Sequence, residues 1–99
     1  MAKKGYWIGH VEITNPERYK DYIAANATAF KKYGARFLVR NGVCEVPEGM
    51  LAGRRHVVIE FESYAIAKAC YESPEYQAAI KIRSEASTGD LVVIEGYEE

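Results

Sequence analysis

The run Leu91-Val92-Val93-Ile94 constrains this chain more than any other stretch. Side chains alternate between the two faces of a strand, so four apolar residues in succession describe a strand buried on both sides. A sheet backed by helices satisfies one of those faces. The rest of the sequence offers two helical regions, too few to cover both, so the second face needs another cover.

The other elements follow from period and punctuation. Residues 5–13, GYWIGHVEI, carry Tyr6, Trp7, Ile8, Val11 and Ile13 and predict strand one. Asn15 is a good N-cap and Pro16 suits the first helical position. Tyr19, Tyr22, Ile23, Phe30 and Tyr33 then make one apolar stripe at helical spacing, and Gly34 ends the helix. In ARFLVRNGVCEV, Asn41-Gly42 supports either a two-residue hairpin turn or a glycine bulge within one long, bent strand. The bulge is preferred; the loop PEGMLAGRR then leads to strand three, residues 56–62. Ser63 caps a short helix over residues 64–72. Ser73-Pro74 repeats the cap-plus-proline device and starts a second helical segment ending near Ala86. STGD reads as a turn, and LVVIEGY, residues 91–97, as strand four.

The order β-α-β-β-α-β predicts an α+β, ferredoxin-like sandwich: a four-stranded antiparallel sheet with helices on one face, in a single domain over residues 1–99. Alternation places Trp7, Val11, Ile13, Phe37, Val39, Val57, Ile59 and Phe61 toward the helices. The outer face then takes Tyr6, Ile8, His10, Glu12, Arg36, Leu38, Arg40, His56, Val58, Glu60 and Glu62. That mixed face is expected to be covered by a second copy of the chain, sheet against sheet. A half-solvated antiparallel sheet is the competing expectation.

Composition removes several functions. A net charge of −1 gives no footprint for nucleic acid or an anionic membrane surface. No secretory signal or membrane-length apolar run is visible. Cys44 and Cys70 are too few and too far apart for a disulfide framework, which points to a cytoplasmic protein with reduced thiols. HExxH, GxGxxG, Walker and GxSxG patterns are absent, so no metal site and no bound cofactor are expected.

The segments KGYWIGHVEITNPERYKDYIAAN, AFKKYGARFLVRNG, VVIEF, SPEYQAAIKIR and GDLVVIEGY together resemble the family catalogued as domain of unknown function 1330, nearly end to end. That family is placed in the dimeric α/β-barrel superfamily, where two ferredoxin-like subunits pack sheet to sheet. The resemblance implies a homodimer here and favours the bulge at Asn41-Gly42. It implies no particular reaction. Superfamily relatives include cofactor-free monooxygenases of aromatic substrates, haem-modifying enzymes, isomerases and stress-responsive proteins, and fold alone does not choose among them.

The candidate chemistry centres on His10, the natural proton carrier at neutral pH. Glu60 shares its face and is expected as a cross-strand or diagonal neighbour that orients the imidazole. A structural ion pair at a subunit contact is the alternative. Arg40 and Arg36 offer planar forks for a substrate carboxylate or enolate, or else pair with glutamates across the sheet. Asn26 interrupts the apolar stripe and needs a partner, either a backbone carbonyl or a ligand in a cavity between helix and sheet. Tyr22 reads as core or as part of that cavity. Tyr76 and Arg83, seven apart on one side of the last helix, line the same cavity or form a helix-surface contact. Two functions remain open. One is a cofactor-free enzyme or binder of a small aromatic or carboxylate molecule with His10 as acid/base. The other is a non-catalytic dimeric structural or stress-response module.

Overall fold

The computed structural model describes residues 3–97. Its elements are β1 (Gly5–Ile13), α1 (Pro16–Tyr33), β2 (Arg36–Arg40), β3 (Arg55–Phe61), α2 (Tyr64–Glu72), α3 (Pro74–Ala86) and β4 (Ser87–Glu95). The four strands form one antiparallel sheet in the order β2-β3-β1-β4, with the helices on one face. This is the ferredoxin-like α+β architecture expected from the sequence. Among the described residues no helix is long and apolar enough to cross a membrane.

The helix ends are held by the residues that predict them. The Asn15 side chain accepts from the Arg18 N–H at 3.1 Å, and Gly34 closes α1 at φ 68°, where a Cβ would be strained. Ser63 accepts from the Ile66 N–H, and buried Ser73 accepts from the Tyr76 N–H while donating to the Cys70 carbonyl at 2.7 Å. That hydroxyl makes the α2–α3 junction a defined corner. At Gly5 a Cβ would lie 2.4 Å from the Ser63 carbonyl oxygen, so α2 starts directly on the β1 backbone.

Trp7 anchors the core. Its ring meets Tyr76 edge-on at 4.7 Å, Phe61 at 5.3 Å and Phe30 at 5.4 Å, and its indole N–H donates to the Ala67 carbonyl at 2.8 Å. Ala29, Ala67, Ala79 and Ala86 are fully buried, and their small side chains let helices and sheet approach closely.

Three expectations change. Neither reading of Asn41-Gly42 holds: β2 stops at Arg40, and the chain leaves the sheet at Asn41, which has φ 57°. Residues 41–54 form an irregular connection rather than a strand to residue 46. A bulge does exist, earlier, where the register shifts between Phe37 and Val39. The extra residue turns Val39 to the outer face, opposite Val58, and Arg40 to the helix side, opposite Val57, reversing the faces expected for both. STGD is not a turn but the start of β4, because the end of β1 needs a ladder partner: Glu12 pairs with Thr88 and Ile13 with Ser87. The remaining strand ends move by one or two residues, with β3 at Arg55–Phe61 and β4 ending at Glu95.

Candidate functional site

The sheet separates the expected site residues into two groups. His10, Glu60 and Arg36 lie on the outer face. Tyr22, Asn26, Arg40, Tyr76 and Arg83 line a cavity of about 510 Å3 between the helices and the sheet.

On the outer face the register overturns the expected His10–Glu60 neighbourhood. His10 stands opposite His56, and Glu60 opposite Tyr6, four residues along β3. The imidazoles of His10 and His56 meet through their Nδ1 atoms at 3.0 Å. Glu60 instead accepts from the Tyr6 hydroxyl at 3.3 Å and forms an ion pair with Arg36 across β2 and β3. Around these polar groups the face is apolar. Leu38, Val39, Val92 and Ile94 are each 42–53 % exposed, an unusual amount for four large aliphatic side chains on one sheet.

The cavity has a different character. Its apolar wall includes Trp7, Phe30, Phe37, Ile59 and Tyr76, contributed by β1, α1, β2, β3 and α3. Across it runs a chain of hydrogen bonds. Arg83 donates through Nη1 to the Tyr76 hydroxyl at 2.9 Å, and that hydroxyl is hydrogen-bonded to the Tyr22 hydroxyl at 2.6 Å. Tyr76 and Tyr22 reach each other because their helices present one apolar stripe each to the same space. Asn26 is 6 % exposed, faces this space from α1, and its amide makes no hydrogen bond among the described residues.

Burial first, and the Tyr22 neighbour second, push the Tyr76 hydroxyl well above its ordinary range against the pull of Arg83, so it stays protonated near neutrality. For Arg83, burial acts downward, but the surrounding hydroxyls of Tyr76, Tyr22 and Tyr71 outweigh it and the guanidinium stays charged. The cavity therefore holds a charged donor feeding neutral hydroxyls, an arrangement that stabilises negative charge on an oxygen of a bound molecule. Cys70 is no nucleophile: burial and the charge of Glu75 push its thiol up to about 12. Among the described residues no three His, Cys, Asp or Glu side chains gather to hold a metal ion.

Tyr19 and Arg55 are among the cavity residues that the sequence does not single out. Tyr19 is indistinguishable in the sequence from the other aromatics of the α1 stripe. Arg55 reads in the sequence as part of the loop before strand three, yet it continues the alternation of Val57 and Ile59 on the helix side and lines the cavity. That period of two is the signal in the sequence that marks it.

The family model of a domain of unknown function (DUF1330) matches residues 4–97. The chain belongs to the DUF1330 family. No curated protein matches it. Solved structures share the fold at low identity. A Rhodopseudomonas palustris protein of unknown function superposes with a TM-score of 0.78 at 17 % identity, covering 100 % of this DUF1330 chain and 86 % of its own. SnoaB, a cofactor-independent oxygenase from Streptomyces nogalater, gives 0.67 at 12 % identity over 99 % and 97 % of the two chains. A dimeric protein of unknown function and ferredoxin-like fold from Bacteroides fragilis gives 0.53 at 18 % identity over 94 % and 96 %.

Proposed function

We propose that this DUF1330 protein binds a small aromatic or carboxylate molecule in the cavity between helices and sheet and acts on it without a bound cofactor. The observation that carries this reading is the Arg83–Tyr76–Tyr22 chain converging with unpartnered Asn26 on one space lined by aromatic rings. Its volume lies in the ordinary range for small-molecule sites. Tyr22, Asn26, Tyr76 and Arg83 would polarise an enolate or phenolate oxygen, with Arg40 at the wall stacked on Phe37. The cofactor-independent chemistry of a similarly folded protein supports the absence of a cofactor step. His10 takes no part in this reading, because the sheet lies between it and the cavity.

The test is thermal and calorimetric titration with small aromatic acids, phenols and neutral ring compounds, alongside mass spectrometry of whatever co-purifies. Binding of at least one ring compound, lost in Asn26→Leu and reduced in Tyr76→Phe, is the expected result. Undiminished binding of every hit by both variants would remove the cavity as the site.

A second reading concerns the outer face. We infer that a second copy of the chain covers it, burying Leu38, Val39, Val92 and Ile94. The Arg36–Glu60 pair and the His10–His56 contact would then set register between copies rather than do chemistry. The apolar exposure of that face supports this, as does the dimeric state of the similarly folded Bacteroides fragilis protein.

A further inference from the structure

The six arginines of the chain divide into two sets. Arg18, Arg36 and Arg54 each lie beside a carboxylate: Asp21 and Glu85, Glu60, and Asp90. Arg40, Arg55 and Arg83 have no carboxylate partner among the described residues, and these three are the ones that line the cavity. Of the lining residues only Asp90 carries a carboxyl group; that group is 76 % exposed and sits 3.7 Å from Arg54.

We propose that the ligand of this cavity is a ring-bearing carboxylate, its anionic end held between Arg55 and Arg83. The proposal rests on the cavity being the ligand site and adds the class of ligand. Arg55 carries the argument. Its Nε is buried and makes no hydrogen bond, although the guanidinium packs 5.8 Å from the centre of the Tyr19 ring. A buried donor without an acceptor is uncommon in a native fold. A lysine so placed could shed its proton, but a guanidinium cannot, so the charge persists and calls for an anion from outside the chain. Arg83 converges on the same region: both arginines act on the Tyr19 hydroxyl, lowering it against the stronger upward push of burial. Arg83 spends Nη1 on Tyr76 and retains its other donors. A planar carboxylate matches these forks, and a ring behind it meets the wall of Trp7, Phe30 and Tyr76.

The test compares benzoate and 2-naphthoate with benzamide and 2-naphthamide by isothermal titration and thermal shift on the whole chain. The acids are expected to bind at least about tenfold more tightly than the amides, the scale of one charge-assisted bidentate contact. Arg55→Met should abolish this preference while leaving the melting temperature of the ligand-free protein unchanged or higher, because it removes a half-buried cation whose Nε has no hydrogen-bond partner among the described residues. Arg55→Lys keeps the charge but loses the fork and should retain only part of the preference. Arg18→Gln, at an exposed ion pair, should bind as wild type. Equal affinity for acids and amides would overturn the carboxylate assignment and leave the cavity as the site. Failure of every ring compound to bind would overturn both. Wild-type discrimination in Arg55→Met and Arg55→Lys alike would remove Arg55 from the proposal.

Discussion

The hydroxyls of Tyr22 and Tyr76 lie 2.6 Å apart, on helices α1 and α3, and Arg83 donates to the second of them. One contact thus closes the top layer of the sandwich and builds the polar edge of its cavity. Under the proposed function, stability and ligand recognition are coupled through it.

Tyr76→Phe should expose that coupling. The ring still packs on Trp7, but Arg83 loses its acceptor and Tyr22 its partner. Denaturant unfolding should show a loss of about 1–2 kcal/mol, the usual cost of unpairing buried polar groups. Calorimetry should show weaker binding of cavity ligands. Tyr22→Phe should produce a smaller loss, since Arg83 keeps its contact.

Ile94→Asp places a charge on the outer sheet face, where the wild-type side chain is 46 % exposed in the single chain. Its fold should survive, as read by circular dichroism. If a second copy covers that face, sedimentation should give the 11.1 kDa monomer for the variant and twice that for wild type. A wild-type monomer at micromolar concentration would remove the inferred dimer.

Glu60→Gln and His10→Ala lie across the sheet from the cavity. Both should change self-association, Glu60→Gln by about tenfold or more because Arg36 loses its ion-pair partner in a covered face. Neither should alter ligand affinity. A His10→Ala variant that loses ligand binding would return the imidazole to the site.

The Cys70 thiol sits at about 12 in the folded chain against an ordinary 9.0. A raised folded value means that the native state keeps a proton the unfolded chain releases. The associated stability is fully present below pH 9 and declines as pH rises toward 12. Urea unfolding between those values should show a steeper decline for wild type than for Cys70→Ala. At neutral pH a thiol reagent should modify exposed Cys44 promptly and Cys70 only on unfolding.

Gly5→Ala drives a methyl group into the Ser63 carbonyl and the Tyr64 Cα, both backbone. Neither can rotate away, so a loss of about 1–3 kcal/mol in denaturant unfolding is expected.

Much of this molecule is legible locally. Asn15, Ser63 and Ser73 cap the helices they predict, because capping is a contact between residues three apart. The alternation in β1 and β3 assigns Trp7, Ile59 and Phe61 to the core. Alternation puts Arg40 on the wrong face because a bulge at Leu38 adds one residue, and a period of two turns a single insertion into a reversal of faces. The sequence pairs His10 with Glu60 rather than His56 for the same kind of reason: alternation reports a face, whereas the partner depends on register between strands distant in sequence.

The sequence by itself determined the element order, the helix ends, the apolar face of each strand up to its first irregularity, and the family. Those depend on interactions a few residues long. Only the tertiary structure decided that His56 rather than Glu60 meets His10, that Arg40 and Arg55 turn toward the helices, and that three arginines without a carboxylate partner among the described residues border one cavity. Register, bulges and the pairing of charges are settled when β1, β3, α1 and α3 pack together, because each depends on which distant residue fills the neighbouring space.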